Sequence, residues 1–300
     1  MWFKPAALLG VIASLLLVVA CSGDDASDDR PRVIASFYPF AFVAEQVGGD
    51  TVQVDNLTQP GAEPHDLELD PQQVADLTEA SLVVFERGFQ PAVDDGIDQA
   101  GVSDDATLDV ADVVTLSPAD EGSDEEGDFD PHVWLDPVAM QQITEAVVDR
   151  MIEIDPDHQR AYERNRDQLL DDLRQLDNAY EQGLADCERR TIVTSHDAFG
   201  YLARRYDLEQ IPIAGIDPHA EPAPSEQAEI SDLVEQDGIT TVFTETLVSD
   251  DVAESIADET GVAVATLDPI EGLSDDTSDD TYLTLMRSNL ETLREANGCT

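Results

Sequence analysis

Val33-Ile34-Ala35-Ser36-Phe37 is an unbroken apolar run of strand length; Phe40 to Val47 behind it has helical period and is stopped by Gly48-Gly49. Thr51 to Leu57 then alternates as a second strand. Strand, helix and strand in that order form the βαβ unit of a parallel sheet, whose strands are buried on both faces. The pattern continues downstream. Pro71 to Ala80 reads as a helix with proline in its first turn, Ser81 to Phe85 as a strand, and another helix and strand fill the stretch to Val114. Helices should therefore cover the faces of one parallel sheet.

The middle of the chain changes character. Pro137 to Ile154 and Pro156 to about Ala185 are helical in period without a strand signal, each opening on Asp-Pro, with Asp136 and Asp155 as the expected N-caps. At 1.5 Å per residue the second helix would run about 45 Å, the span of a domain. Alternation then returns, with strands at Thr191 to Ser195, near Ile211 to Ala214, at Thr240 to Thr244 and at Val262 to Leu267. Helices are expected at Ala198 to Tyr206, Ser225 to Gln236, Asp251 to Glu259 and about Asp280 to Ala296. The fold class is thus α/β, with two (β/α) lobes built on parallel sheets and joined by a long helix. The divisions are an N-terminal lobe at 32–155, a linking helix at 156–186 and a C-terminal lobe at 187–300.

Upstream of the first strand, Met1 to Ala20 carries a single charge at Lys4 and an apolar run from Ala6 to Val19, ending in Val18-Val19-Ala20-Cys21. That is an export signal, and a small residue before a cysteine is the pattern of a lipoprotein cleavage site. Residues 1–20 are read as the signal peptide, Cys21 as the lipidated first residue, and 21–31 as a flexible Ser/Gly/Asp tether. An uncleaved signal anchor is the alternative; either way the folded part works outside the cytoplasm, on the cell's outer face or in the periplasm. With Cys21 lipidated, Cys187 and Cys299 remain, and an oxidising compartment favours one disulfide between them over two buried thiols.

Composition narrows the function. The chain has 300 residues, 42% of them hydrophobic, enough apolar content for two ordinary domains. Its net charge of -51 comes from 66 acidic against 15 basic residues, a field that repels nucleic acid and attracts divalent cations. The acids are spread over the whole chain, which points to a high-salt habitat as the origin of the charge.

Of five histidines, three stand in loops next to strand ends or helix starts: His65 in Gly61-Ala62-Glu63-Pro64-His65, His132 in Asp130-Pro131-His132-Val133-Trp134-Leu135-Asp136-Pro137, and His196 in Ser195-His196-Asp197. Open parallel sheets bind ligands at the carboxyl ends of their strands, and Asp268 in Leu267-Asp268-Pro269 has a similar position in the second lobe. Three neutral imidazoles and one carboxylate would make a borderline-soft tetrahedral set suited to Zn²⁺. The four residues span two hundred positions, however, so spacing alone leaves surface or capping roles open.

At these residues the chain resembles the solute-binding proteins of zinc and manganese ABC transporters. The resemblance runs from Val33 to Leu293 and rests on the Gly-x-x-Pro-His segment ending at His65, Pro-His-x-Trp-Leu-Asp-Pro at His132, Ser-His-Asp-Ala-Phe-Gly-Tyr at His196 and Leu-Asp-Pro at Asp268. It implies two ligands from each lobe, His65 and His132 facing His196 and Asp268, with the metal in the cleft between the lobes. It further implies that the chain captures one Zn²⁺ and delivers it to a membrane permease that pries the lobes apart. A histidine at 196 matches zinc-type members, whereas manganese-type members tend to carry glutamate there, so Mn²⁺ or iron is the secondary expectation. The partners are then the permease and, through the lipid at Cys21, the membrane, with the receptor itself a monomer.

Two departures stand out. His219, in Asp217-Pro218-His219, replaces the usual acidic residue and is read as a rim residue; residues 120–130 are acidic but lack the histidines of zinc-type relatives. A zinc hydrolase would need an open coordination position and a base. No His-Glu-x-x-His occurs, and Glu68 and Glu245, the conceivable bases, fit better as groups that orient imidazoles. A binding protein is expected, not an enzyme.

Overall fold

The computed structural model describes Trp2, residues 30–118 and residues 129–300. The signal peptide, the lipidation site Cys21, nearly all of the tether and the acidic segment up to Asp128 lie outside the described residues. Among the described residues no helix is long and apolar enough to cross a membrane.

In chain order the first half comprises β1 (Arg32–Ala35), α1 (Tyr38–Gly48), β2 (Gln53–Asn56), α2 (Pro71–Glu79), β3 (Leu82–Phe85), α3 (Pro91–Ala100) and β4 (Thr107–Asp109). Two-residue strands β5 (Ser117–Pro118) and β6 (Phe129–Asp130) pair antiparallel, and α4 (Pro137–Ile154) follows. Helix α5 (Gln159–Gly183) leads to β7 (Thr191–Thr194), α6 (Gly200–Arg205), β8 (Glu209–Pro212), α7 (Pro224–Gln236), β9 (Thr241–Thr244), α8 (Asp251–Thr260), β10 (Ala263–Thr266) and α9 (Tyr282–Asn297). Two four-stranded parallel sheets result, ordered β2-β1-β3-β4 and β10-β9-β7-β8.

Side-chain alternation explains the layers. Val33, Ala35, Leu82 and Val84 face one core, while Ile34, Val83 and Phe85 face another made with Leu77, Val93 and Ile97 of α2 and α3. In the second sheet Ile192 and Phe243 face inward, and Val193 and Val242 face a separate cluster with α7 and α8. The inward faces of both sheets share one continuous apolar cluster, which also takes in α1, α4, α5 and α9. Buried hydrogen bonds tie the halves: Trp134 Nε1 donates to the Pro269 carbonyl at 2.7 Å, Tyr282 Oη to the Trp134 carbonyl at 2.6 Å, and Tyr201 Oη to the Asp130 carbonyl at 2.9 Å.

The long helix is shorter than its sequence suggests. Pro156–His158 forms a separate 3₁₀ turn, and the 25 residues of α5 extend about 37 Å along α1, α4 and α9. Asp136 caps α4 by accepting from Val138 N–H at 2.8 Å, but Asp155 does not cap α5. Its carboxylate instead accepts from Tyr162 Oη at 2.6 Å and pairs with the half-exposed His158. Helix α6 starts at Gly200, two residues later than expected, because Asp197 to Phe199 remain in the loop that carries His196. Strand β8 starts two residues earlier than its apolar signal, since its edge position leaves Glu209 exposed. Cys187 and Cys299 are joined by a disulfide across 112 positions.

Candidate metal centre

Each sheet reverses its strand order once, between β1 and β3 in the first and between β7 and β9 in the second. Loops at such reversals diverge and leave a crevice. His196 follows β7 by two residues and Glu245 follows β9 by one, so both sit at the second reversal. His65 arrives on the loop between β2 and α2. Gln90, buried at the start of α3, steadies that loop by donating to Thr58 Oγ1 at 3.1 Å and to the Pro64 carbonyl at 3.2 Å. His132 precedes a 3₁₀ turn, Val133–Leu135, whose three side chains are wholly buried.

The three imidazoles converge on a carboxylate, that of Glu271. Glu271 Oε1 lies 3.4 Å from His65 Nε2, 3.3 Å from His132 Nε2 and 3.4 Å from His196 Nε2, and the last two nitrogens are 3.3 Å apart. In a regular tetrahedron the edge is about 1.63 times the centre-to-vertex distance, so these four edges match a set of atoms about 2.0–2.1 Å from a common centre, the Zn–N and Zn–O bond length. Ca²⁺, by contrast, takes six to eight oxygen ligands, a set that three imidazole nitrogens and one carboxylate do not offer. The residues therefore fit a small tetrahedral cation.

Outer partners fix the imidazole tautomers. His132 Nδ1 is 2.9 Å from Asp130 Oδ1, and His196 Nδ1 is 2.7 Å from Glu245 Oε1; each carboxylate also accepts the backbone N–H of its own histidine. With Nδ1–H donated outward, the Nε2 lone pair points inward. His65 instead packs edge-on against Phe89, ring centroids 4.8 Å apart.

The charges follow from burial and these neighbours. Burial alone lowers all three imidazoles, and for His65 it prevails. For His132 the Asp130 and Glu271 carboxylates outweigh burial and raise it, and for His196 Glu245 and Glu271 raise it well above the ordinary value. Glu271 is pushed up by burial but held well below the usual carboxylate range by the surrounding histidines. Glu63, at the edge of the site, is raised by burial and by the charge on Glu271.

Asp268, expected as the fourth ligand, is not part of this convergence. It lies at the end of β10 and is buried, its carboxyl raised to about 6 by burial and by Glu271 nearby. The chain turns after it, and Glu271, three positions on and one methylene longer, reaches the histidines. The Leu-Asp-Pro motif points to the first acid of a pair in one loop, whereas the carboxylate that lies among the three imidazoles is Glu271, the next acid downstream. Asp130 was also missed, though an acid two residues before a ligating histidine is a signal for this role. Glu68 is exposed and outside the group. His219 is half-exposed, 3.3 Å from Asp66, and with Glu63 and Asp66 forms a separate, more exposed cluster at the rim.

Two parallel α/β sheets whose crevices share three imidazoles and one carboxylate define a two-lobed metal-binding protein. Residues 33–296 match the family described as zinc-uptake complex component A, periplasmic, and the chain belongs to that family. It is 33% identical over 304 residues to the zinc-binding lipoprotein AdcA of Streptococcus pneumoniae, covering 95% of this chain and 60% of that protein. The high-affinity zinc uptake system protein ZnuA of Bacillus subtilis is 30% identical over 317 residues, covering 99% and 98% of the two chains. The zinc-bound ZnuA-like domain of S. pneumoniae AdcA superposes with a TM-score of 0.78 at 31% identity, over 89% of this chain and 99% of that domain.

Proposed function

We propose that the chain is the receptor of an ABC zinc uptake system, exported and lipid-anchored at Cys21, which captures one Zn²⁺ and hands it to a membrane permease. The observation that carries this reading is the convergence of His65, His132, His196 and Glu271, with four of the six interatomic distances at 3.3–3.4 Å and all within 4.8 Å. Its membership of the zinc-uptake family points the same way.

Zn²⁺ is the cargo. It sheds its water as four protein atoms replace it, and the neutralising charge comes from Glu271 within the set and from Asp130 and Glu245 behind two of the histidines. A set of four protein ligands favours retention over catalysis, because a hydrolytic zinc keeps one position for water. The functional division is an N-terminal lobe at 32–155 bearing His65 and His132, a linking segment at 156–186, and a C-terminal lobe at 187–300 bearing His196 and Glu271, acting as a monomer. Metal analysis of the chain purified without chelators should find one zinc per molecule. A chain stripped of metal that takes up no zinc at neutral pH overturns the reading.

A further inference from the structure

Four buried hydrogen bonds hold the loop that delivers Glu271. Asn289, on α9 and 2% exposed, grips both backbone faces of Asp268: the Asp268 N–H donates to Asn289 Oδ1 at 2.9 Å, and Asn289 Nδ2 donates to the Asp268 carbonyl at 2.6 Å. Asp268 Oδ1 accepts the Ile270 N–H at 2.7 Å, closing a tight turn. Trp134 pins the Pro269 carbonyl from the opposite lobe. Between these bonds Ile270 is wholly buried with φ at +59°, a region that β-branched residues avoid. Such a conformation persists only where its surroundings over-determine it. The next residue is Glu271, whose side chain is 1% exposed and whose Oε1 alone meets all three Nε2 atoms at 3.3–3.4 Å.

We infer that Asp268 and Asn289 are positioning residues that bind no metal themselves but hold Glu271 in one-oxygen, four-coordinate geometry, and thereby set the preference for Zn²⁺ over Mn²⁺. This rests on the zinc-receptor reading above. A glutamate freed from the turn could swing to offer both oxygens, giving a harder site of higher coordination number, which favours manganese relative to zinc. Asn289 makes the last helix part of that control, although it lies 18 positions beyond the ligand it steadies.

Competition titrations with zinc and manganese on five proteins test this: the wild type, Asp268→Ala, Asp268→Asn, Asn289→Ala and Glu271→Ala. Asp268→Ala removes the acceptor of the turn and should weaken zinc binding by about 10- to 100-fold, the usual cost of losing an outer partner, while manganese affinity falls less. Asp268→Asn keeps an oxygen at the Ile270 N–H and should restore most of the zinc affinity and the wild-type metal ratio. Asn289→Ala acts on the same turn from α9 and should shift the ratio in the same direction, which keeps the test decisive if Asp268→Ala fails to fold. A purely structural role would lower the melting temperature of these variants and leave the zinc-to-manganese ratio unmoved. That outcome, or an Asp268→Asn as defective as Asp268→Ala, overturns the inference. Glu271→Ala separates the two levels: if it binds zinc like the wild type, the ligand set itself is wrong, whereas if it alone loses zinc, only the positioning role fails.

Discussion

His196 concentrates the chemistry of the site, since its ring meets the Glu271 carboxylate of the proposed ligand set on one side and the Glu245 carboxylate on the other. His196→Ala should weaken zinc binding by more than the roughly 10–100-fold that losing an outer partner costs, because a ligand itself is gone. His196→Glu keeps a ligand but adds charge and a second oxygen, so zinc affinity should fall relative to manganese in the same competition titration. Proton competition follows from the same contacts. Burial opposes the charged form of His196, but Glu245 and Glu271 outweigh it and raise its folded pKa. Protonated His196 therefore stabilises the metal-free fold below the unfolded pKa, and this contribution is lost as pH rises through the folded value. Zinc must displace that proton, and His132, also raised, adds to the demand. Apparent zinc affinity should drop as pH falls from 7 to 5, and calorimetry in buffers of different ionisation enthalpy should show proton release on binding. A pH-independent affinity would contradict the arrangement. The three imidazoles that converge are singled out by their strand-end loops together with the family resemblance. The carboxylate that meets them could not be, since which acid of Asp268 and Glu271 faces the crevice depends on a turn whose bonds come from Asn289 and Trp134, remote in sequence.

At the scale of elements, strands were legible because those buried on both faces read as apolar runs, and helices because proline marks their first turn at Pro71 and Pro137. Boundaries failed where tertiary contacts replace local signals: Asp155 has the sequence of a cap but turns to Tyr162 and His158, and Gly200 opens α6 late. The disulfide ties the segment after α5 to the end of α9, with Cys187 and Cys299 facing each other as a bridge pair. Closing a loop of this length restricts the unfolded chain by up to about 4–5 kcal/mol in the entropic account. Reduction, or Cys187→Ser, should lower the melting temperature by several degrees while leaving zinc stoichiometry at one. The oxidised chain should also be about 2 Da lighter than the reduced one, one hydrogen lost from each thiol when the bond forms. Free alkylation of both thiols without reductant would refute the pairing.

For the whole molecule, a net charge of -51 means that self-repulsion opposes folding in dilute buffer. Screening at molar salt shortens the reach of each charge to about 3 Å, so the melting temperature should climb clearly from low to molar sodium chloride. A flat profile would mean that the acids are already compensated by arginines and bound ions. The sign of this effect could be read from composition, but the joining of the lobes could not, because apolar periodicity shows which face of an element is buried and not what it is buried against. The continuous apolar cluster has a mechanical meaning. A jaw-like opening would break the buried Trp134–Pro269, Tyr282–Trp134 and Tyr201–Asp130 bonds, each worth about 0.5–1.5 kcal/mol net once water replaces the partner, and would wet the apolar cluster around them. Withdrawing one ligand-bearing loop disturbs far less. The two sheets are thus clamped in one frame, and scattering profiles recorded with and without zinc should show the same overall dimensions.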